Sequence, residues 1–114
     1  MPHLILDCSP NVLVGRSGEE LIREVHDTAA ASGLFAIGDI KVRIRTHFQY
    51  TVGNTQDDFL HVFGYVMEGR TVDQRKALSM SIVRRLKELL PDVPVISMNV
   101  IEFDKATYTN RTMV

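Results

Sequence analysis

Short apolar runs and alternating stretches divide the chain, each bounded by a signal for a turn or a helix start. Pro2 to Cys8 is brief and mostly apolar, as in a strand buried on at least one face. Ser17, followed three residues later by Glu20, has the form of a capping box, in which each side chain satisfies the other residue's free amide. Leu21, Ile22, Val25 and Ala29 then recur at helical spacing, and Gly33 supplies a C-terminal stop. A long alternation comes next. Ile40, Val42, Ile44, Thr46, Phe48 and Tyr50 point one way and Lys41, Arg43, Arg45, His47 and Gln49 the other, which predicts a strand running to the break at Gly53-Asn54.

The second half repeats this order. Phe59 to Met67 reads as a strand and Glu68-Gly69 as a turn, and Thr71 with Gln74 forms a second capping box. The helix it opens carries Val72, Leu78, Ile82, Leu86 and Leu89 and stops at Pro91; Val93 to Phe103 reads as a fourth strand. The two units are offset by roughly 55 residues, too long and too few for a solenoid. The pattern therefore predicts an α/β fold (α+β by some schemes), with two tandem β-α-β halves at about 1–53 and 54–114 in one domain over 1–114. Pairing is expected to be parallel within each unit, through right-handed crossovers, with both helices on one face of a four-stranded sheet. The other face then has nothing to cover it. Because the row Lys41, Arg43, Arg45, His47 makes it partly polar, the expected arrangement is a homo-oligomer whose sheet faces meet.

Composition changes this picture little. A chain of 114 residues buries only about two-thirds of its unfolded surface, so association would add stability. A net charge of −1 gives no general attraction for nucleic acid or an anionic membrane, and neither is expected as a partner. Cys8 has no internal disulfide partner, which fits a reducing cytoplasm. No apolar run approaches the length of a membrane span, and the N-terminus lacks the regions of a signal peptide.

Pro2 directly follows the initiator methionine, and removal of Met1 would expose a secondary amine at the start of a strand. An α-amine has a reference pKa of about 7.7–8.0, and burial beside cations lowers it toward the range useful for proton abstraction next to a carbonyl. A proline at position 2 is common, and an ordinary capping role is the competing reading. The opening Pro2-His3-Leu4-Ile5-Leu6-Asp7-Cys8-Ser9, the stretch Ala30-Ala31-Ser32-Gly33-Leu34-Phe35, the Gly69-Arg70-Thr71 turn and the doubled layout together resemble the 5-carboxymethyl-2-hydroxymuconate isomerases of the tautomerase superfamily. The resemblance covers nearly the whole chain. It implies a tautomerase-like homotrimer with sheets packed around a central axis. It also implies a proton transfer without metal or cofactor, moving a double bond in an unsaturated, multiply carboxylated dienol during homoprotocatechuate breakdown.

By the same resemblance Pro2 is the catalytic base and Arg70 the catalytic arginine, whose planar fork suits a carboxylate. The family's other arginine falls on Lys41, which keeps the charge and loses the two-point grip; Arg43, two residues on, is the candidate to replace it. The competing role for Arg43 and Arg45 is a solvated strand face or ion pairs between subunits with residues such as Glu102. In this family the C-terminus packs on a neighbouring subunit, which makes Tyr108 and Arg111 further candidates for substrate binding.

Other chemistry finds little support. The four histidines His3, His26, His47 and His61 lack the spacing of a zinc motif, so no metal is expected, and His3 should point to the sheet face opposite Pro2. Cys8 reads as an inert core thiol, and Arg84, Arg85 and Lys87 as a solvated helix face. Two other functions stay open: a related tautomerase-superfamily enzyme with another substrate, and a non-catalytic oligomeric binding protein that retains Met1. Retention would make the Pro2 nitrogen an amide.

Overall fold

A computed structural model describes residues 1–114. The strands are β1 (His3–Cys8), β2 (Lys41–Thr46), β3 (Phe59–Met67) and β4 (Val95–Phe103); the helices are α1 (Val12–Gly15), α2 (Gly18–Ala31) and α3 (Val72–Leu89). Short 3-10 turns occupy Ile37–Asp39, Lys105–Thr107 and Arg111–Met113. The sheet order is β2-β1-β3-β4. β1 pairs with β2 in parallel and β3 with β4 in parallel, as the two-unit reading requires. The halves join through an antiparallel β1–β3 pair, with Ile5 opposite Phe63.

The helix ends show why these segments start and stop where they do. Thr71 and Gln74 complete their capping box, with the Gln74 amide donating to Thr71 Oγ1 at 3.1 Å and the Thr71 amide donating to Gln74 Oε1 at 2.9 Å. The expected box at α2 is only half formed. The Glu20 amide donates to Ser17 Oγ at 3.2 Å, but the Glu20 carboxylate takes Arg16 at 2.7 Å instead of returning to the Ser17 amide. A charge-assisted bond to a guanidinium outweighs one to a neutral amide. Gly33 follows α2 at φ 72, and Leu90, steered out of helical geometry by Pro91, ends α3 at φ −127.

Two strand boundaries differ from the sequence reading. β2 stops at Thr46 rather than Tyr50, because its only neighbour, β1, ends at Cys8 ahead of Pro10. The chain from 47 to 58 instead turns back at Gly53 (φ 53) and Asn54 (φ 63), closed by a Val52–Thr55 bridge. β4 begins at Val95 rather than Val93, since the β3 partner row starts at Phe59 and the Val93 amide is held by the Leu90 carbonyl at 3.2 Å.

Alternation places Leu4, Leu6 and Cys8 of β1 and Leu60, Val62 and Val66 of β3 on the helix side, all fully buried. They meet Leu21, Val25 and Ala29 of α2 and Leu78, Ile82 and Leu86 of α3 in one core. Arg85, read from sequence as solvated, ties the helices together through Glu24 at 2.9 Å and also holds Glu88 at 3.0 Å.

Gly64 interrupts the β3 core row for a steric reason: a Cβ there would stand 2.7 Å from Met98 Cε and 3.4 Å from Leu4 Cδ2. The Met98 methyl is the end of a flexible chain and can swing away, so Gly64→Ala should cost less than about 1 kcal/mol. Gly64→Val should cost about 1–3 kcal/mol, as overpacking does. Urea denaturation of the two variants checks this, and equal losses would contradict it.

On the sheet's other face no helix packs. Arg45 forks onto Asp7 at 2.6 and 3.1 Å, and His61 bridges Ser97 and Asn99 at 2.6 Å each. Glu102, named above as an example of a partner between subunits, lies 3.6 Å from Arg75 of α3 within its own chain. Its even place in β4, beside Val100 and Met98, turns it toward the helices.

Candidate active site

Pro2 heads β1 and is fully buried, and its carbonyl accepts the Lys41 amide at 3.1 Å, which seats the N-terminus against the start of β2. The Met1 amine above it has a pKa held below the usual α-amino value. Burial is the main cause; the positive charges of Arg70 and Lys41 act in the same direction, and Asp39 opposes them. Loss of Met1 would leave the Pro2 amine at the head of this strand. With Met1 attached, the Pro2 nitrogen is a tertiary amide and has no basic lone pair.

Arg70 enters from the β3–α3 connection, where Gly69 at φ 116 makes a turn that L side chains resist. Its guanidinium donates to the Met67 carbonyl at 3.2 Å and to the Leu34 carbonyl at 2.8 Å, and lies over the Phe35 ring at 4.7 Å. Backbone carbonyls and a ring face thus hold the group in one orientation while leaving its remaining N–H groups uncommitted. Leu34 and Phe35 matter to the site through this hold. Sequence reasoning found them only as part of a matching stretch, because their contact to Arg70 joins residues 36 apart in the chain. Lys41 bends back so that Nζ donates to the Asp39 carbonyl at 2.8 Å.

Arg43 goes elsewhere. It shares a strand face with Lys41 by alternation, but its guanidinium turns to His3, donating from Nη1 to Nδ1 at 3.1 Å. His3 does lie on the helix-free face, as predicted. Arg43, His3, Ile5, Tyr65, Phe103 and Tyr108 line a cavity of about 420 Å³ on that face. Tyr108 packs its ring 5.5 Å from that of Phe103. Arg111 is exposed on the last turn and does not line the cavity. The candidates therefore separate into two groups: Pro2, Lys41 and Arg70 at the strand head, and Arg43 with Tyr108 in the cavity.

Burial pushes the Cys8 thiol up to about 11, with the Asp7 charge adding to it, so Cys8 is an inert core thiol. No three His, Cys, Asp or Glu side chains stand together at metal-binding distance. No helix is long and apolar enough to cross a membrane.

A mixed four-stranded sheet with its two long helices on one side, and a strand-leading proline beside an arginine turn, defines a tautomerase-like α/β protein. The structure superposes with a TM-score of 0.84 on a 5-carboxymethyl-2-hydroxymuconate isomerase from Deinococcus radiodurans R1, at 21% identity over 96% of this chain and 88% of that one. It matches the wild-type fused 4-OT symmetric trimer with a TM-score of 0.80, at 13% identity over 98% of this chain and 94% of that one. In sequence it is 26% identical over 89 residues to the 5-carboxymethyl-2-hydroxymuconate Delta-isomerase of Escherichia coli, covering 76% of this chain and 71% of the relative. Residues 2–113 match the model of the 5-carboxymethyl-2-hydroxymuconate isomerase family, and the chain belongs to that family of isomerases in the tautomerase superfamily.

Proposed function

We propose that the chain moves a double bond in an unsaturated, carboxylated dienol of the 5-carboxymethyl-2-hydroxymuconate type, with the Pro2 amine as general base once Met1 is removed. The observation that carries this reading is the placement of Arg70 and Lys41 around the head of β1, where they lower an amine's pKa. The neutral amine takes the proton of the enol hydroxyl, and electron density runs along the conjugated chain. The resulting ammonium returns a proton to carbon, so the reaction needs no oxidant, reductant or added group. Negative charge develops on oxygen during the transfer. Arg70, held by the Leu34 and Met67 carbonyls, stabilises that charge in a fixed geometry, and the Lys41 ammonium adds a point charge beside it.

The bare sheet face supports self-association, and the trimeric state of the fused 4-OT relative makes a trimer the preferred form. Light scattering should give three copies; a stable monomer would count against it.

The direct test pairs intact mass with a ketonisation assay on 2-hydroxymuconate. Protein lacking Met1 should consume the dienol, and protein made to retain Met1 should be slower by about a hundredfold or more, the scale of a missing general base. Equal rates for the two forms would refute the proline as base.

A further inference from the structure

We infer that Asp39 is a specificity-determining residue of the strand-head site: its carboxylate, set beside the N-terminus without a cationic partner, offsets one of the two positive charges there and disfavours substrates with additional carboxylates. The inference deepens the proposed proline-base reading and rests on it for the class of substrate.

Placement comes first. Asp39 ends the 3-10 turn Ile37–Asp39 in the connection between α2 and β2, the same connection whose Leu34 carbonyl and Phe35 ring hold Arg70. Backbone bonds fix the turn on both sides. The Asp39 amide donates to the Ala36 carbonyl at 3.0 Å, and the Lys41 amide donates to the Pro2 carbonyl at 3.1 Å. The Asp39 Cα therefore stands within two Cα steps, about 7.6 Å, of the residue that clasps Pro2. Asp39 is half-buried, and its short side chain keeps the carboxylate near that place.

Pairing is the second argument. Asp7, Glu20, Glu24, Glu88 and Glu102 each take an arginine of this chain. Asp39 takes none. Lys41, two residues away, sends Nζ to the Asp39 carbonyl at 2.8 Å and leaves the carboxylate unpaired.

The charge reaches the proposed base. The N-terminal amine faces Arg70 from the β3–α3 connection, Lys41 from β2, Asp39 from the α2–β2 connection and His3 next along β1. Of the charges acting on it, Asp39 acts most strongly, in the sense opposite to Arg70 and Lys41. A substrate carboxylate entering beside that amine meets the same field. The planar fork of Arg70 suits one carboxylate. A further carboxylate finds only the Lys41 point charge to attract it and Asp39 to repel it, and in a half-buried site the repulsion is stronger than in bulk water.

The test uses protein freed of Met1 and two dienols that differ by one carboxylate, 2-hydroxymuconate and 2-hydroxypenta-2,4-dienoate. Asp39→Asn keeps the size of the side chain and the backbone bonds of the turn. It should raise kcat/KM for 2-hydroxymuconate about three- to tenfold relative to the monoacid, and Asp39→Glu should keep the parent ratio. The gain should shrink between about 0.01 M and 1 M salt, as the Debye length falls from about 30 Å to about 3 Å. The acid limb of the rate profile should move to lower pH in Asp39→Asn, because removing a neighbouring anion makes the amine harder to protonate. Two inert acids give the same readout without turnover: trans,trans-muconate and sorbate, which carries a methyl where muconate has its second carboxylate. In proton NMR titrations Asp39→Asn should tighten muconate about three- to tenfold relative to sorbate. Ratios unchanged by Asp39→Asn, for the dienols and the inert acids alike, would overturn the role of Asp39. A shifted muconate-to-sorbate ratio in a protein that turns over neither dienol would sustain it and refute the proline base instead.

Discussion

Alanine in place of Pro2, in protein freed of Met1, should lower kcat for dienol ketonisation by about a hundredfold or more. The alanine amine still ends the chain, but as a primary amine free to rotate about its N–Cα bond, whereas the proline ring fixes the direction of the lone pair. Far-UV circular dichroism and the melting temperature guard against a folding defect, since Pro2 is fully buried and the change removes packed methylenes. The pH profile separates chemistry from packing. A base must be unprotonated, so kcat/KM should fall as pH drops through the amine's pKa. Burial, Arg70 and Lys41 hold the Met1 amine at this strand head below its usual value against the opposing charge of Asp39, and the same surroundings should place the acid limb below the pKa of a free proline amine. A folded Pro2→Ala protein with an unchanged rate would end the proline-base reading.

Arg70 carries the next largest effect. Arg70→Lys should cost about a hundred- to a thousandfold in kcat/KM, as loss of a fixed oxyanion donor does, because an ammonium cannot hold both the Leu34 and Met67 carbonyls and still present a planar fork. The acid limb should stay near its original place, since the charge is kept. Arg70→Met should move that limb to higher pH, because removing a neighbouring positive charge makes the amine easier to protonate. Rate profiles of the two variants against pH check both statements. A limb that stays in place when methionine replaces Arg70 would show that its charge does not act on the base.

Arg70 also shows how a site residue can be legible while its surroundings are not. The Gly69-Arg70-Thr71 turn stood out because a glycine, a cap and a helix start fall together, all within a few residues. The Leu34 carbonyl and the Phe35 ring that orient Arg70 lie in the other half of the chain. Arg43 is the converse case. Alternation correctly put it on the face of Lys41, yet the two side chains separate, one toward His3 and the other toward the Asp39 carbonyl. Strand parity assigns a face and says nothing of rotamer or neighbour.

The same division runs through the fold. Periodicity, caps and breakers determined, from the sequence alone, the four strands, the two long helices, their order, and the one-sided burial that leaves a sheet face bare. Each depends on residues within a turn or two of one another, where propensity and hydrogen bonding act locally. Only the tertiary structure decided the antiparallel β1–β3 join, the end of β2 at Thr46 where β1 offers no further partner, and the capture of Glu20 by Arg16 and of Glu102 by Arg75. It alone also brought His3, Arg43, Tyr65, Phe103 and Tyr108 around one cavity, from all four strands and the C-terminal tail. Register and cross-chain pairing arise from contacts between distant segments, and a residue's own neighbours in sequence carry no record of them.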